Sequence, residues 1–253
     1  MTARHAARRV LRTVGLERPV LALRRRLLPE HMRRDVRDHE LLVELLEREL
    51  RPDDDCLDAG AHEGSVLAEL VRLAPRGRHV AWEPLPAQAA RLRERFPDVD
   101  VREAALAAHA GERDFVHVTD DPGWSGFAER PVPGGGPVER LRVRCERLDD
   151  ALPAGLRPAL LKVDVEGAEL ELFRGATVTL RAHRPLLVFE HGRGSADALG
   201  ADPSELHALL AGELGYEIFG LDGAGPYDAP AFAALFESGE RVNFAARPGR
   251  ASG

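Results

Sequence analysis

The chain has 253 residues, of which 44% are hydrophobic and 30% are charged, and its formal net charge is −7 at pH 7. This length and hydrophobic content suffice for one α/β domain with a full core, so no second domain is expected. The acidic charge argues against broad nucleic-acid binding, which takes its affinity from Lys and Arg side chains that neutralise phosphates.

The N-terminal residues 1–50 predict an Arg-rich helical extension that packs on the core of the main domain, residues 51–253. Leucines at helical spacing run from Leu41 to Leu50, and Pro52 ends the pattern. The arginines favour a solvated helix, while an anionic membrane or an acidic substrate stays open as their partner. No apolar run approaches the roughly 18 residues of a membrane helix, so we expect a cytoplasmic protein without membrane insertion.

A short strand ending in Asp58 breaks into a turn and then into a helical pattern, which is the layout of a nucleoside-binding site. Gly60 removes a side chain where the backbone turns against a ligand, and Gly64 lets the new helix pack closely on its strand. Asp58 replaces the first glycine of the G-x-G-x-x-G motif, which disfavours a dinucleotide. A carboxylate there suits the ammonium and sulfonium groups of S-adenosylmethionine, although a helix cap is an equal alternative for Asp58 alone.

A second carboxylate, Glu83, ends the next strand and is followed by Pro84. It stands roughly twenty residues after the turn, where a carboxylate can accept hydrogen bonds from both ribose hydroxyls of a nucleoside. NAD shares that recognition, and a surface carboxylate is the plainer interpretation of Glu83 alone. Together, Asp58 and Glu83 favour the nucleoside site.

Apolar strand candidates alternate with helical segments along the rest of the chain. The alternation predicts an α/β fold with β-α-β order throughout: a doubly wound, mainly parallel sheet with helices on both faces. Ligands of such sheets bind at the carboxyl ends of the strands. The predicted strands are Arg78 to Glu83, Val99 to Ala104, Leu160 to Asp164, Leu186 to Glu190, Tyr216 to Leu221 and Val242 to Ala246.

A loop and hairpin insertion interrupts this alternation at about residues 111–150. Two extra strands are predicted to flank a segment rich in Pro and Gly. Long loops inside compact domains are often functional, so Trp124, Ser125 and Phe127 are candidates to face a substrate. An exposed loop without function is the alternative.

A buried strand then delivers Asp164 and Glu166 into a turn before a helix, in the segment LLKVDVEGAELELF. With LDAGAHEG and AWEP, this segment resembles the signature of the FkbM family of S-adenosylmethionine-dependent methyltransferases, over about residues 55–191. The resemblance implies a Rossmann-like class I methyltransferase fold and S-adenosyl-L-methionine as cofactor. The cofactor-binding residues that it implies are Asp58, Gly60, His62, Gly64, Glu83, Ala105 and Asp164, with Leu106 near the adenine and Glu166 and Gly167 in the fourth-strand motif.

Two residues of these motifs need comment. His62 stands where the family usually has Asn, and because an imidazole can still donate a hydrogen bond, we expect cofactor binding to survive. Lys162 is the only lysine of the chain, which suggests a place that suits a compact ammonium and not a planar guanidinium. A structural ion pair with a nearby carboxylate and a catalytic role are both open for Lys162.

Methyl transfer depends mostly on geometry, because holding the nucleophile in line with the methyl carbon supplies roughly 7 to 11 kcal/mol. A general base adds roughly 3 to 5 kcal/mol, so none is obligatory. For an alcohol acceptor the base candidates are His191, Asp164 and Glu190, which end neighbouring strands. His191 is preferred because an unperturbed pKa of about 6.5 suits proton removal near pH 7, with a structural histidine as the alternative. Asp164 and Glu190 could also hold a divalent metal, but no metal is predicted.

The expected function is O-methylation of a hydroxyl group on a small metabolite. The resemblance implies sugars, glycolipids or polyketide-type natural products as acceptors, and hence a role in natural product biosynthesis. Methylation of nitrogen or of a carboxylate, and nucleoside binding without chemistry, stay open, while an NAD-linked oxidoreductase ranks last because of Asp58. Cys56 and Cys145 show no metal or disulfide spacing. The expected partner is the small-molecule acceptor, and a homo-oligomer is possible.

Overall fold

The computed structural model describes residues 29–132 and 135–249. Most of the Arg-rich segment, residues 1–28, lies outside the described residues. Its helical conformation and its packing on the core therefore stay predictions. Within the described part of the chain, no helix is both long and apolar enough to cross a membrane.

The chain divides into two compact units, residues 1–44 and residues 45–253. The first described helix, α1, spans Glu30–Glu49. In the second unit its Leu45 and Leu46 are buried, which agrees with the leucine pattern of the sequence.

A seven-stranded sheet forms the centre of the second unit. Its strands are β1 (Asp55–Ala59), β2 (His79–Trp82), β3 (Asp100–Arg102), β7 (Pro158–Val163), β8 (Leu186–Glu190), β9 (Tyr216–Gly220) and β10 (Asn243–Pro248). The spatial order is β3-β2-β1-β7-β8-β10-β9, and the pairs are parallel except for the two that β10 makes. This sheet confirms the predicted doubly wound, mainly parallel fold.

The helices of the second unit connect these strands. They are α2 (Ser65–Leu73), α3 (Pro86–Arg95), α4 (Leu148–Ala151), α5 (Glu169–Arg174), α6 (Thr177–His183), α7 (Arg193–Ala196), α8 (Pro203–His207) and α9 (Ala229–Ser238). The start of α9 is capped by Asp228, whose carboxylate accepts a hydrogen bond from the Ala231 amide at 2.9 Å. Helix α2 turns Leu67 and Leu70 into the core.

A smaller sheet occupies the predicted insertion. Its strands are β4 (Ala105–Leu106), β5 (Gly111–Val118) and β6 (Val138–Glu146). Strands β5 and β6 form an antiparallel hairpin, and β4 runs parallel to β6. The connection between β5 and β6 folds back on the hairpin, because Gly126 exchanges two backbone hydrogen bonds with Val116. That return brings the loop over the end of the large sheet.

The core is dominated by aliphatic side chains of the strands together with a cluster of four phenylalanines. The ring of Phe189 on β8 lies 5.7 Å from the rings of Phe173 and Phe244, and Phe232 lies 4.9 Å from Phe244. Aromatic pairs of this kind add about 0.5–1.5 kcal/mol each beyond the area they bury. The cluster fixes α5 and α9 beside β8.

The last strand is the exception to the parallel arrangement, since β10 enters the sheet between β8 and β9 and runs antiparallel to both. The predicted alternation still holds here, because α9 lies between β9 and β10. An apolar pattern indicates that a strand exists but carries no direction, because side chains alternate in the same way in parallel and antiparallel strands.

Candidate active site

A cavity of about 700 Å³, including the space at its mouth, lies at the carboxyl ends of the strands. Its wall combines the turn after β1, the ends of β2 and β7, the β4 strand and the loop of the insertion. The lining residues include Gly60, His62, Glu83, Ala105, Leu106, Phe115, Ser125, Phe127, Asp164 and Glu166. Of the predicted cofactor residues, Gly60, His62, Glu83, Ala105 and Asp164 thus meet at one cavity.

Gly60 is required by close packing of two strand ends. It has a positive φ of 79°, and a β-carbon at this position would overlap the backbone carbonyl of Asp164. The Asp164 amide also donates a 3.0 Å hydrogen bond to the Ala59 carbonyl. The turn after β1 is therefore tied directly to the end of β7, which holds two walls of the cavity together.

Gly64 lies where α2 begins beside α3. Its φ is 74°, and an added β-carbon would lie 2.6 Å from the Phe96 ring and 2.7 Å from the Leu92 side chain. Leu92 belongs to α3, and Phe96 directly follows that helix. The glycine thus allows α2 to start against α3, and α2 also contacts β1.

His62 adopts a left-handed backbone conformation, with φ of 47°. Asn, Asp and His are enriched there among residues other than Gly, so a change between Asn and His preserves the turn. The His62 amide donates a hydrogen bond to Glu83 at 2.8 Å. The ring Nε2 is buried and has no hydrogen-bond partner among the described residues, which leaves it available to a ligand.

Glu83 is a buried carboxylate at the cavity wall. Its two oxygens accept hydrogen bonds from the His62 and Leu85 amides at 2.8 and 2.9 Å. Burial raises the pKa of Glu83, and those two hydrogen bonds oppose the rise. Each carboxylate oxygen keeps a lone pair for a further donor, such as a ribose hydroxyl.

Asp58 lies behind the cavity wall. It is 1% exposed, and its Oδ2 has no hydrogen-bond partner in the described part of the chain. Burial raises the pKa of Asp58 to about 6, with Lys162 opposing the rise. The residue pairs in register with Lys162 on β7, so the two side chains share one face of the sheet.

Lys162 forms an ion pair with Asp164, with 3.0 Å between Nζ and Oδ2. Burial disfavours the ammonium, but the charges of Asp164 and Asp58 outweigh that cost and raise the pKa of Lys162. The structure thus places Lys162 as a buried cation between two carboxylates. It holds the Asp164 carboxylate at the cavity.

Glu166 is the site residue that sequence reasoning named only as part of a motif. It lines the cavity, its φ is 55°, and its carboxylate lies 2.5 Å from the Arg130 guanidinium. Burial and the Asp164 charge raise the pKa of Glu166 to about 7, while Arg130 lowers it. The motif that contains Glu166 and Gly167 predicts the turn, but the partner Arg130 is distant in the sequence.

The loop of the insertion supplies the remaining wall. Ser125 and Phe127 line the cavity, as expected, and Phe127 stacks edge-on against Phe115 at 5.4 Å. Trp124 is not among the lining residues. Its ring instead lies 4.5 Å from the Arg130 guanidinium. Arg130 thus contacts both Trp124 and Glu166, and these contacts hold this loop against the turn after β7.

The structure separates His191 from the cavity, which removes the basis for the predicted general base. The side chain is 1% exposed, and its ring stacks on Phe236 at 4.9 Å and on Phe232 at 5.8 Å. Its Nδ1 lies 3.4 Å from the buried Glu169, which also accepts a hydrogen bond from the Gly167 amide. The residue ends β8 as predicted, but its side chain points to the helical layer.

Glu190 is half-buried and does not line the cavity. Burial and the charges of Asp164 and Glu166 raise the pKa of Glu190 well above its ordinary value. It therefore belongs to the same group of carboxylates without reaching the open space. Among the described residues, no group of three or more His, Cys, Asp or Glu side chains is arranged to hold a metal ion.

A family model described as the methyltransferase FkbM domain matches residues 58–218. The 2-O-methyltransferase NoeI of Sinorhizobium fredii (strain NBRC 101917 / NGR234) is 33% identical over 166 residues, which cover 58% of this chain and 65% of that protein. The chain thus spans less than two thirds of this relative's length.

Two solved structures are also similar. Methyltransferase FkbM from Methylobacillus flagellatus KT aligns at 16% identity and a TM-score of 0.48, covering 78% of this chain and 44% of that one. Precorrin-6y C5,15-methyltransferase from Geobacter metallireducens GS-15 aligns at 20% identity and a TM-score of 0.42, covering 70% and 72%.

Proposed function

The chain belongs to the FkbM methyltransferase family, and we propose that it transfers a methyl group from S-adenosyl-L-methionine to a hydroxyl oxygen of a small metabolite, such as a sugar, a glycolipid or a polyketide-type natural product. The observation that carries the proposal is Glu83, a buried carboxylate that lines the cavity beside the Gly60 turn. The printed name of the Sinorhizobium relative, a 2-O-methyltransferase, favours oxygen as the accepting atom.

The residues present fit this methyl donor. His62, in the turn after β1, lines the cavity, and its buried ring Nε2 has no hydrogen-bond partner among the described residues. An unpaired buried polar atom at a cavity wall is costly, so it indicates that a ligand with its own polar groups completes it. Glu83 would hold the ribose hydroxyls, and the small and apolar Ala105 and Leu106 would lie against the adenine.

When bound, S-adenosyl-L-methionine supplies an electrophilic methyl group on a sulfonium. The chain's own task is positioning, which is worth roughly 7 to 11 kcal/mol in such a displacement. Phe115 and Phe127 form an apolar part of the cavity wall. Asp164 and Glu166 face the same space and can orient an acceptor hydroxyl through hydrogen bonds.

Glu166 takes the proton of the acceptor hydroxyl in this proposal. Asp164 is engaged by Lys162, and His191 is walled off by phenylalanine rings. Burial raises the pKa of Glu166 to about 7, so near neutral pH a substantial part of its carboxyl groups is ionised and still basic enough to accept a proton. The two remaining candidates from the sequence, Asp164 and Glu190, serve as its charged surroundings.

Calorimetric titration with S-adenosylhomocysteine, run beside NAD, tests the cofactor. We expect binding of S-adenosylhomocysteine alone. Glu83→Gln should weaken it by roughly 10- to 100-fold, since hydrogen bonds to a charged group contribute about 1.5–3 kcal/mol. Glu103→Gln is the matched control, because Glu103 is an exposed carboxylate paired with Arg93. Preference for NAD, or unchanged affinity in the Glu83 variant, would contradict the assignment.

The accepting atom needs its own experiment. Purified protein with isotope-labelled methyl donor is incubated with sugars, glycolipids and polyketide-type alcohols, and the product is treated with base. An O-methyl ether survives base, whereas a methyl ester is cleaved, and mass spectrometry of the product distinguishes O- from N-methylation. A labelled ester or N-methyl product would overturn the alcohol part of the proposal and leave the cofactor part intact.

A further inference from the structure

The loop of the insertion places a serine at the cavity wall with a hydrogen left to donate. Ser125 lines the cavity and is 5% exposed. Its Oγ accepts a hydrogen bond from the Val118 amide at 3.0 Å, and among the described residues the hydroxyl donates no hydrogen bond of its own. A serine hydroxyl carries one hydrogen besides two lone pairs, so a buried donor at the cavity is available to a ligand.

The Ser125 oxygen is held in place by its surroundings. The Ser125 amide donates to the Pro122 carbonyl at 3.1 Å, and the adjacent Gly126 exchanges two backbone hydrogen bonds with Val116. The bond from the Val118 amide fixes the side chain in addition. A donor that is held in advance loses little conformational freedom when a ligand binds, so this hydroxyl is suited to recognise a single atom.

The direction of Ser125 follows from the strand-like pairing around it. Gly126 forms an antiparallel bridge with Val116, and the backbone of Ser125 is extended. A β-carbon added to Gly126 would lie 3.5 Å from Glu166. Because successive side chains of an extended segment point to opposite faces, Ser125 shares its face with Phe127 and not with the face that meets Glu166.

That face of the loop belongs to an apolar part of the cavity beside the proposed ribose site. Phe127 lies edge-on to Phe115 at 5.4 Å, and both pack in one cluster with Leu85 and Ala105. We call these four side chains, which all line the cavity, the apolar wall. The Leu85 amide donates to Glu83 at 2.9 Å, so the apolar wall begins next to the carboxylate that would hold the ribose.

Contacts outside the cavity hold the loop in this position. The Arg113 guanidinium lies 4.1 Å from the Phe127 ring and forms an ion pair with Glu171 of α5. Further along the loop, Arg130 lies against the Trp124 ring. The hydroxyl and the apolar wall are therefore placed by the same set of contacts.

We propose that Ser125 recognises the adenine of the methyl donor: its hydroxyl donates a hydrogen bond to one ring nitrogen of the base, which lies against the apolar wall. The inference rests on the proposed function, because it takes S-adenosyl-L-methionine as the ligand. Adenine has flat apolar faces and, at its edge, the unprotonated nitrogens N1, N3 and N7. An apolar wall with one placed donor matches both features.

The test is a double-mutant cycle measured by calorimetry. The unmodified protein and Ser125→Ala are titrated with S-adenosylhomocysteine and with its 1-deaza, 3-deaza and 7-deaza analogues, in each of which a C–H group replaces one ring nitrogen. We expect Ser125→Ala to bind S-adenosylhomocysteine about 3- to 10-fold more weakly, because one neutral hydrogen bond is lost. One of the three analogues should show a similar loss with the unmodified protein and no further loss with the variant.

The cycle separates recognition of the base from support of the loop. If Ser125 served only to satisfy the Val118 amide, the variant would weaken all four ligands by the same factor, and that result would overturn the inference. Ser238→Ala is the matched control, since Ser238 is exposed and its hydroxyl donates to the Leu235 carbonyl. We expect the control to bind every ligand as the unmodified protein does.

Two further arms keep the inference testable. Three deaza analogues that all bind the unmodified protein as tightly as S-adenosylhomocysteine would overturn it, even if Ser125→Ala fails to fold. Methylthioadenosine lacks the amino acid group and should lose affinity in the variant by the same factor as S-adenosylhomocysteine; an unchanged affinity would assign the contact to the amino acid group and overturn the inference. Failure of S-adenosylhomocysteine to bind the unmodified protein would instead overturn the cofactor part of the proposed function.

Discussion

The turn after β7 places two carboxylates in different surroundings, Glu166 in the cavity region and Glu169 in the interior region. Glu166 reaches the cavity wall, where it pairs with Arg130 at 2.5 Å. Glu169, three residues later, is buried in the interior, where it accepts the Gly167 amide and lies 3.4 Å from His191. In each region a carboxylate contacts a basic side chain, so residue type alone does not distinguish the two pairs.

Access to the open space makes the difference. The ring of His191 stacks against Phe232 and Phe236 of α9 and is 1% exposed, so it does not face the cavity. Glu166 lines the cavity beside the loop of the insertion, where its partner Arg130 lies against the Trp124 ring. The interior pair therefore supports the turn, and the cavity pair is left to meet a ligand.

Gly167 lies between Glu166 and Glu169 in the chain, so a substitution there should disturb both regions. Its φ is 97°, and a β-carbon would overlap the Ser195 carbonyl. We expect Gly167→Ala to lower the free energy of unfolding by about 3 kcal/mol or more, measured by urea denaturation. Gly194→Ala is the control, because an added methyl there meets nothing within 4 Å. Similar losses in the two variants would show that the close approach does not matter.

The cavity region should make stability depend on pH. Burial raises the pKa of Glu166 from an ordinary 4.5 to about 7 in the folded protein. Its stabilising contribution is therefore complete below pH 4.5 and is lost as pH rises through 7. Glu166→Gln should remove a decline on the order of 2 kcal/mol between pH 5 and pH 8.

Urea denaturation at several pH values measures that decline, and Glu129→Gln should retain it because its carboxylate is exposed. A variant at Glu166 with the same pH dependence as the unmodified protein would place the titration on the neighbouring carboxylates Asp58 or Glu190, whose pKa values are also raised.

The interior region should affect stability without affecting the ligand. His191→Leu leaves the buried Glu169 carboxylate without its histidine and removes a stacked ring. We expect a loss of about 1–2 kcal/mol in the free energy of unfolding and an unchanged affinity for S-adenosylhomocysteine. Lost methyl transfer with stability and affinity intact would instead restore His191 as the general base.

Much of the fold could be predicted because its signals are local. The strands around Asp58, Glu83 and Asp164 were found from short apolar runs, and Leu186 to Glu190 matches β8 at both ends. Gly60 and Gly64 predict the turn after β1, because glycine readily adopts the positive φ angles that the turn requires. The packing of Gly64 against Leu92 and Phe96 could not be predicted, because these residues come from another part of the chain.

The site was predicted in part for the same reason. Five of the seven cofactor residues line one cavity, while Asp58 lies behind its wall and Gly64 lies at the start of α2, against Leu92 and Phe96. Their roles in binding stay predictions. Arg130 as the partner of Glu166 could not be found, since no local pattern relates two residues so far apart in the chain.

The sequence by itself determined the alternation of strands and helices, the turn after β1 and the carboxylates at strand ends, because these follow from backbone preferences of neighbouring residues. Only the tertiary structure decided the direction of β10, the burial of His191 behind α9 and the exposure of Glu166 to the cavity. Pairing direction and burial depend on contacts between distant segments, and a side chain's chemistry changes with the solvent that those contacts admit or exclude.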